Sequence, residues 1–225
     1  MSVETNLKNI LSGLPNHVRL VAVSKIHPAS VIMTAYNAGQ RLFGENKVQE
    51  MIGKQALLPK DIEWHLIGHL QSNKVKNMVP FISMVHSVDS LNLLQTINKE
   101  AQKHNRIIDC LLQIFIASED TKYGISPDEA HMILSSPEFR TFNNIRIRGL
   151  MGIATYTENK TRIRKEFKHL HLLFDELKQA YFSTDKHYNE LSMGMTDDYQ
   201  IAIEEGSTII RIGTMIFGKR TYFKD

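Results

Sequence analysis

Short runs of branched apolar residues alternate along this chain with segments whose apolar positions recur every three or four residues, the signature of strands and amphipathic helices in turn. Residues 2–13 place Val3, Leu7, Ile10 and Leu11 at helical spacing. Leu20-Val21-Ala22-Val23-Ser24-Lys25 then reads as a buried strand ending at Lys25, and Pro28 opens a helix through Val31, Ile32 and Ala35 that stops at Gly39. The alternation continues with strands near 41–46, 63–69, 84–88, 107–116, 145–153, 188–193 and 208–212. Between them lie helices near 47–57, 73–79, 90–104, 127–134, 163–181 and 197–205. Two starts carry a capping serine, Ser90 and Ser126. In the longest helix, Ile163, Phe167, Leu170, Phe174, Leu177 and Tyr181 form one continuous apolar stripe.

Eight strands, nearly all followed by helices, predict an α/β fold: a single (β/α)8 barrel of the TIM type with an extra N-terminal helix, residues 1–225 forming one domain. A doubly wound open sheet would need a Gly-rich fingerprint after its first strand, and Ser24-Lys25-Ile26-His27 is not one. In a barrel, function gathers at the carboxyl ends of the strands. Those positions are Lys25, Asn46, His69, His86, Met151, Ser192, Met193, Gly194, Arg211, Gly213 and Thr214. Lys25 shares a strand face with Val21 and Val23, so its amine should meet an apolar interior that favours the neutral, nucleophilic form.

Composition narrows the partners. The 225 residues are 42% hydrophobic, no window approaches the apolar length needed to span a bilayer, and the start lacks a leader pattern, so a cytoplasmic protein is expected. The single cysteine, Cys110, lies in an apolar run and reads as a small core side chain in a reducing compartment. Net charge is +3 with a pI near 8.9, and no basic stripe interleaved with aromatics marks a nucleic-acid groove. A small anion fits the charge equally well. Leu191-Ser192-Met193-Gly194-Met195-Thr196 and Ile210-Arg211-Ile212-Gly213-Thr214 each bring a strand end, a glycine and a hydroxyl together, as an anion site does.

Two motifs mislead. His65 and His69 stand about 13 Å apart on a strand at roughly 3.3 Å per residue, too far to share a metal, so no metal site is expected. Gly213-Thr214-Met215-Ile216-Phe217-Gly218-Lys219-Arg220 approaches a Walker loop, but arginine stands where the magnesium-binding hydroxyl belongs. His69 and His86 read as satisfied core histidines.

The residues at the strand ends resemble those of the pyridoxal phosphate homeostasis proteins, barrels related to the amino-terminal domain of bacterial alanine racemase. The likeness covers nearly the whole chain: Val21-Ala22-Val23-Ser24-Lys25, Phe43-Gly44-Glu45-Asn46, Trp64-His65-Leu66-Ile67-Gly68-His69-Leu70-Gln71-Ser72-Asn73-Lys74, Gly149-Leu150-Met151, Leu191-Ser192-Met193-Gly194-Met195 and Arg211-Ile212-Gly213-Thr214. The resemblance implies pyridoxal 5′-phosphate as cofactor, held as a Schiff base on Lys25. It implies that Ser192, Gly194, Gly213 and Thr214 hold the phosphate, that Arg211 faces the pyridine nitrogen, and that Asn46 and Met193 also belong to the cofactor site. Two departures stand out: Lys47 replaces a common tyrosine at the pocket rim, and Thr196 replaces a serine and is expected to cap the following helix.

A cation beside the pyridine nitrogen disfavours its protonation and leaves the ring a weak electron sink. Racemases of the related fold draw a second acid/base from a further domain and a partner subunit, whereas this chain stops at Asp225. The expectation is therefore a non-catalytic monomer, with no catalytic residues, that holds the cofactor and passes it to recipient enzymes. A pyridoxal-phosphate-dependent amino-acid racemase or lyase is the alternative.

Overall fold

The computed structural model describes residues 2–117 and 124–218; Lys219, Arg220 and Asp225 lie outside the described residues. Eight parallel strands close into a barrel in sequence order. They are β1 (Arg19–Val23), β2 (Leu42–Glu45), β3 (Glu63–Leu66), β4 (Ile82–Val88), β5 (Ile108–Ile114), β6 (Ile145–Gly152), β7 (Glu190–Ser192) and β8 (Ile209–Ile212). Closure comes from β8 pairing back onto β1, with Leu20 opposite Ile210 and Val21 opposite Arg211. The helices are α1 (Val3–Ser12), α2 (Ala29–Asn37), α3 (Val48–Leu57), α4 (Val75–Met78), α5 (Leu91–Lys103), α6 (Pro127–Ser135), α7 (Lys160–Tyr181), α8 (Tyr199–Glu204) and α9 (Thr214–Phe217). The barrel with its extra N-terminal helix is the predicted architecture.

Local chemistry starts several of these helices. The Ser90 hydroxyl accepts from the Leu93 amide, while Ser126 and Glu129 form a reciprocal capping box at α6. The α7 stripe is buried from Ile163 through Leu177, but Tyr181 is exposed, its hydroxyl 3.0 Å from His131 Nδ1. Two strands run notably shorter than predicted, β1 stopping at Val23 and β7 having three residues, while β4 starts two residues earlier. The expected helix over 73–79 begins as a 3-10 turn at Ser72–Lys74, and the single turn of α9 has no counterpart in the hydrophobic pattern.

Strand alternation sorts the side chains into two cores. Leu20, Ala22, Phe43, Trp64, Leu66, Cys110 and Ile210 face the helices. Val21, Met84, Leu111, Met151 and Ile209 fill the barrel's interior. Burial holds the Cys110 thiol protonated, as a core side chain. At the amino ends of the strands, Arg19 pairs with Glu190 at 2.6 Å, and Arg148 reaches both Glu190 at 3.2 Å and Asp109 at 2.7 Å. The opposite end is left open for a site.

Two glycines make a contrasting test. Gly149 has φ +145, and a Cβ there would lie 1.8 Å from the Glu190 carbonyl oxygen, so only glycine lets β6 approach β7 this closely. Gly149→Ala should cost roughly 3–5 kcal/mol, combining backbone strain with overpacking. Gly53 is exposed in the middle of α3 with open space around it, and Gly53→Ala should stabilise by about 0.5–1 kcal/mol. Urea unfolding of both variants checks the pair; equal effects would contradict the packing at β6.

Candidate functional site

β1 delivers Lys25 two residues beyond its end at Val23. Ser24-Lys25-Ile26-His27 forms a turn closed by the His27 amide donating to the Ser24 carbonyl at 3.1 Å, and Ile26 in its third position has φ +66. That is the position where a type II turn takes glycine; a β-branched residue there stores strain on the order of 1–3 kcal/mol. Lys25 lines a cavity of about 270 Å³ at the carboxyl ends of the strands. Val23, Ile67, Ile153, His27 and Tyr156 give that cavity apolar and aromatic walls, and Asn46 adds an amide. Met195, Thr196 and Asp197 form another side; Gly213, Thr214 and Gly218 complete it beside Arg211.

Arg211 is only 4% exposed, and its partners are neutral acceptors. Nη1 donates to the Ser192 hydroxyl at 2.7 Å and Nη2 to the Gly152 carbonyl at 3.0 Å. Burial lowers its pKa to about 10, offset in part by the carboxyl of Asp198, and it stays charged at neutral pH. Ser192 Oγ also lies 3.0 Å from His86 Nδ1, and His86 Nε2 lies 2.9 Å from His65 Nδ1. If Ser192 accepts from Arg211 and donates to His86 Nδ1, each contact in the relay has one donor and one acceptor; His86 then carries its proton on Nε2 and donates a hydrogen bond to His65 Nδ1. Burial drives both histidines toward neutrality, His65 down to about 3 and His86 well below its ordinary value. A buried cation thus sits at the cavity on a scaffold of neutral rings and hydroxyls.

The residues anticipated from sequence separate into two sets. Lys25, Asn46, Arg211, Gly213 and Thr214 line the cavity together. Ser192, Met193 and Gly194 lie behind its wall: the Ser192 hydroxyl serves Arg211 and His86, Met193 packs in the helix-facing core, and Gly194, at φ +93, abuts Ala202 and Tyr199. The wall from this segment is Met195, Thr196 and Asp197 instead. Thr196 does not cap α8, because Asp198 precedes that helix and accepts from the Met195 amide at 2.6 Å. Lys47 is exposed ahead of α3 and does not line the cavity. His86 is a satisfied core histidine as expected, but His69 is exposed beside Asp89 at 3.3 Å. Tyr156 carried no separable sequence signal, since it follows β6 by a loop whose path only the fold determines.

This closed parallel barrel belongs to the family described as alanine racemase, N-terminal domain, which matches residues 2–221. Within that class, the chain belongs to the pyridoxal phosphate homeostasis protein family. It is 41% identical over 208 residues to the pyridoxal phosphate homeostasis protein of Aquifex aeolicus, covering 92% of this chain and 89% of that one. Identity to the Pasteurella multocida protein of the same name is 39% over 237 residues, covering 100% of both chains. The structure of PipY from Synechococcus elongatus with PLP bound matches with a TM-score of 0.88 at 39% identity, covering 96% of this chain and 100% of that one. Alanine racemase of Clostridium difficile shares the fold, with a TM-score of 0.81 at 15% identity over 98% of this chain and 60% of that one.

The neutral histidines predict acid sensitivity. With the folded-state pKa of His65 near 3, the unfolded chain takes up the proton first as pH falls below about 6.5, so stability present at neutral pH is lost on acidification. His65 alone accounts for about 2 kcal/mol between pH 7 and pH 5. Glu45 acts in the opposite sense, because burial raises its carboxyl pKa and makes ionisation unfavourable as pH rises. Comparing wild type with His65→Gln isolates the histidine: urea unfolding should give the variant a flatter loss between pH 7 and pH 5, and identical slopes would contradict the neutral relay.

Proposed function

We propose that this protein binds pyridoxal 5′-phosphate, with its aldehyde held as a Schiff base on Lys25, and serves vitamin B6 homeostasis as a single-domain cytoplasmic monomer that passes the cofactor to recipient enzymes. The observation that carries this reading is the cavity that gathers the Lys25 amine, the charge of Arg211 and the hydroxyls of Thr196 and Thr214 between apolar and aromatic walls. Such a donor set fits a small, flat, anionic aldehyde. The relatives named pyridoxal phosphate homeostasis proteins, and PipY with PLP bound, support the same ligand. Among the described residues no helix is long and apolar enough to cross a membrane.

Each residue has a distinct task. Lys25 supplies the amine for covalent attachment. Thr196, Gly213 and Thr214 would hold the phosphate, Thr196 taking the hydroxyl role expected of Ser192, whose own hydroxyl is committed to Arg211. Arg211 would donate to the pyridine nitrogen and oppose its protonation by like-charge repulsion. When bound, the cofactor supplies an electrophilic aldehyde and an electron-withdrawing ring; beside a cation, that ring is a poor sink for a carbanion. We therefore read the site as one that stores the cofactor rather than using it for turnover.

Borohydride reduction of the yellow protein, followed by peptide mass analysis, should place the pyridoxyl adduct on Lys25, and Lys25→Ala should lose the absorbance band. An adduct chiefly on Lys47 would move the site elsewhere. Pyridoxal lacking the phosphate should bind roughly 100-fold more weakly or worse, since two charge-assisted hydrogen bonds at about 1.5 kcal/mol each contribute that much. Equal affinities would reduce the Thr196 and Thr214 segments to ordinary turns. Incubation with a panel of amino acids in heavy water separates storage from enzymatic use: no α-proton exchange at an enzymatic rate is expected, and stereospecific exchange would establish the racemase or lyase alternative.

A further inference from the structure

The turn that carries Lys25 is clamped from outside the barrel. Glu45 ends β2 on its helix-facing side, fully buried, and its Oε1 accepts from the Ser24 hydroxyl at 2.6 Å and from Lys54 Nζ at 2.7 Å. Lys54 comes from α3 and is 7% exposed. Its ammonium also donates to the Ser24 carbonyl at 2.8 Å and to Glu50 Oε1 at 2.6 Å. The same Glu50 oxygen accepts the Ile26 amide at 2.5 Å. Both residues flanking Lys25 are therefore tied to one helix, and the tie at Ile26 holds a β-branched residue at φ +66.

Burying an ammonium and a carboxylate beside a second, half-buried carboxylate is costly, and a barrel needs no such group between a strand and its helix. Leucine at position 54 would fill the space without any charge to desolvate. The arrangement becomes intelligible once the turn is considered: Ile26 would relax toward negative φ without an acceptor fixing its amide, and Lys25, its neighbour, would turn with it. Lys54 holds Glu50 in place, one helical turn away, while Glu45 anchors Lys54.

We propose that Glu50 and Lys54 are positioning residues for Lys25: through the Ile26 amide and the Ser24 carbonyl they hold the turn in the conformation that aims the lysine amine into the cavity beside Arg211. Neither residue lines the cavity. This rests on the reading of Lys25 as the attachment point, and it assigns work to two charged residues that the site itself does not use.

The test compares Glu50→Ala with Glu50→Gln in the full chain, because the glutamine oxygen can still accept the Ile26 amide while the charge is gone. Two readouts are taken. The first is the rate at which pyridoxal 5′-phosphate becomes attached at Lys25, trapped by borohydride and located by peptide mass. The second, on cofactor-free protein, is the pH profile of Lys25 acetylation by acetic anhydride, with the exposed Lys8 as internal reference. Glu50→Ala should slow attachment at least tenfold and move the midpoint of Lys25 labelling by half a pH unit or more, while Glu50→Gln stays within threefold of wild type. If the two variants behave alike, whether both near wild type or both impaired, the clamp does not position Lys25 and the proposal is overturned.

Should Glu50→Ala fail to fold, Ile26→Gly supplies the second route. Glycine adopts the turn without strain, so adding Glu50→Ala to it should slow attachment less than threefold; a tenfold loss in the glycine background contradicts the proposal. A wild-type protein that takes no adduct at Lys25 refutes the reading of function, and the labelling profile in cofactor-free protein still decides whether the turn is held by Glu50.

Discussion

A guanidinium inside a barrel must find its hydrogen bonds there, and Arg211 finds them from a hydroxyl and a carbonyl rather than from a carboxylate. Much of the open end of the barrel follows from that constraint. Ser192 is committed to Arg211 and unavailable to the cavity, and His86 and His65 extend the relay inward as neutral rings. Had a carboxylate paired with Arg211, its charge would be cancelled in place. Without a paired carboxylate, and only partly offset by the more distant Asp198, the charge can act on whatever enters the cavity.

A second polar cluster lies on the other side of the same strands. Glu45 and Lys54 sit between β2 and α3, outside the barrel wall, and meet the Lys25 turn from behind. The two clusters divide the labour: one sets the charge the cavity presents, the other the conformation of the turn bearing the amine. Gly44, between them on β2, keeps the wall thin, since a Cβ there would lie 2.8 Å from Val21 Cγ1. An apolar packing alone would fold the barrel but would specify neither the charge nor the turn.

The strand count, the order of elements and the capped helix starts were legible because each rests on local pattern: Ser90 and Ser126 cap as their positions suggest, and Val21, Val23 and Lys25 share a direction even though β1 ends before Lys25. What was not legible depended on where strands end. β7 stops at Ser192, so the cavity wall begins three residues later, at Met195; a period-two pattern does not say where pairing gives way to a loop. Ile26 was equally silent, for a branched apolar residue gives no sign of a positive φ, and its φ of +66 accompanies a tertiary contact, its amide donating to Glu50. The His86–Ser192 contact was hidden because its partners stand 106 residues apart in the chain.

The central claim is that an unneutralised Arg211 keeps the pyridine nitrogen of a bound cofactor unprotonated, suiting the site to storage. Nitrogen-15 NMR of ring-labelled pyridoxal 5′-phosphate bound to the wild-type protein and to Arg211→Glu, titrated from pH 6 to pH 9, addresses it directly. The wild type should give the shift of an unprotonated pyridine throughout the range, and Arg211→Glu the shift of a protonated ring near neutrality. A protonated ring nitrogen in the wild type at pH 7 would contradict it.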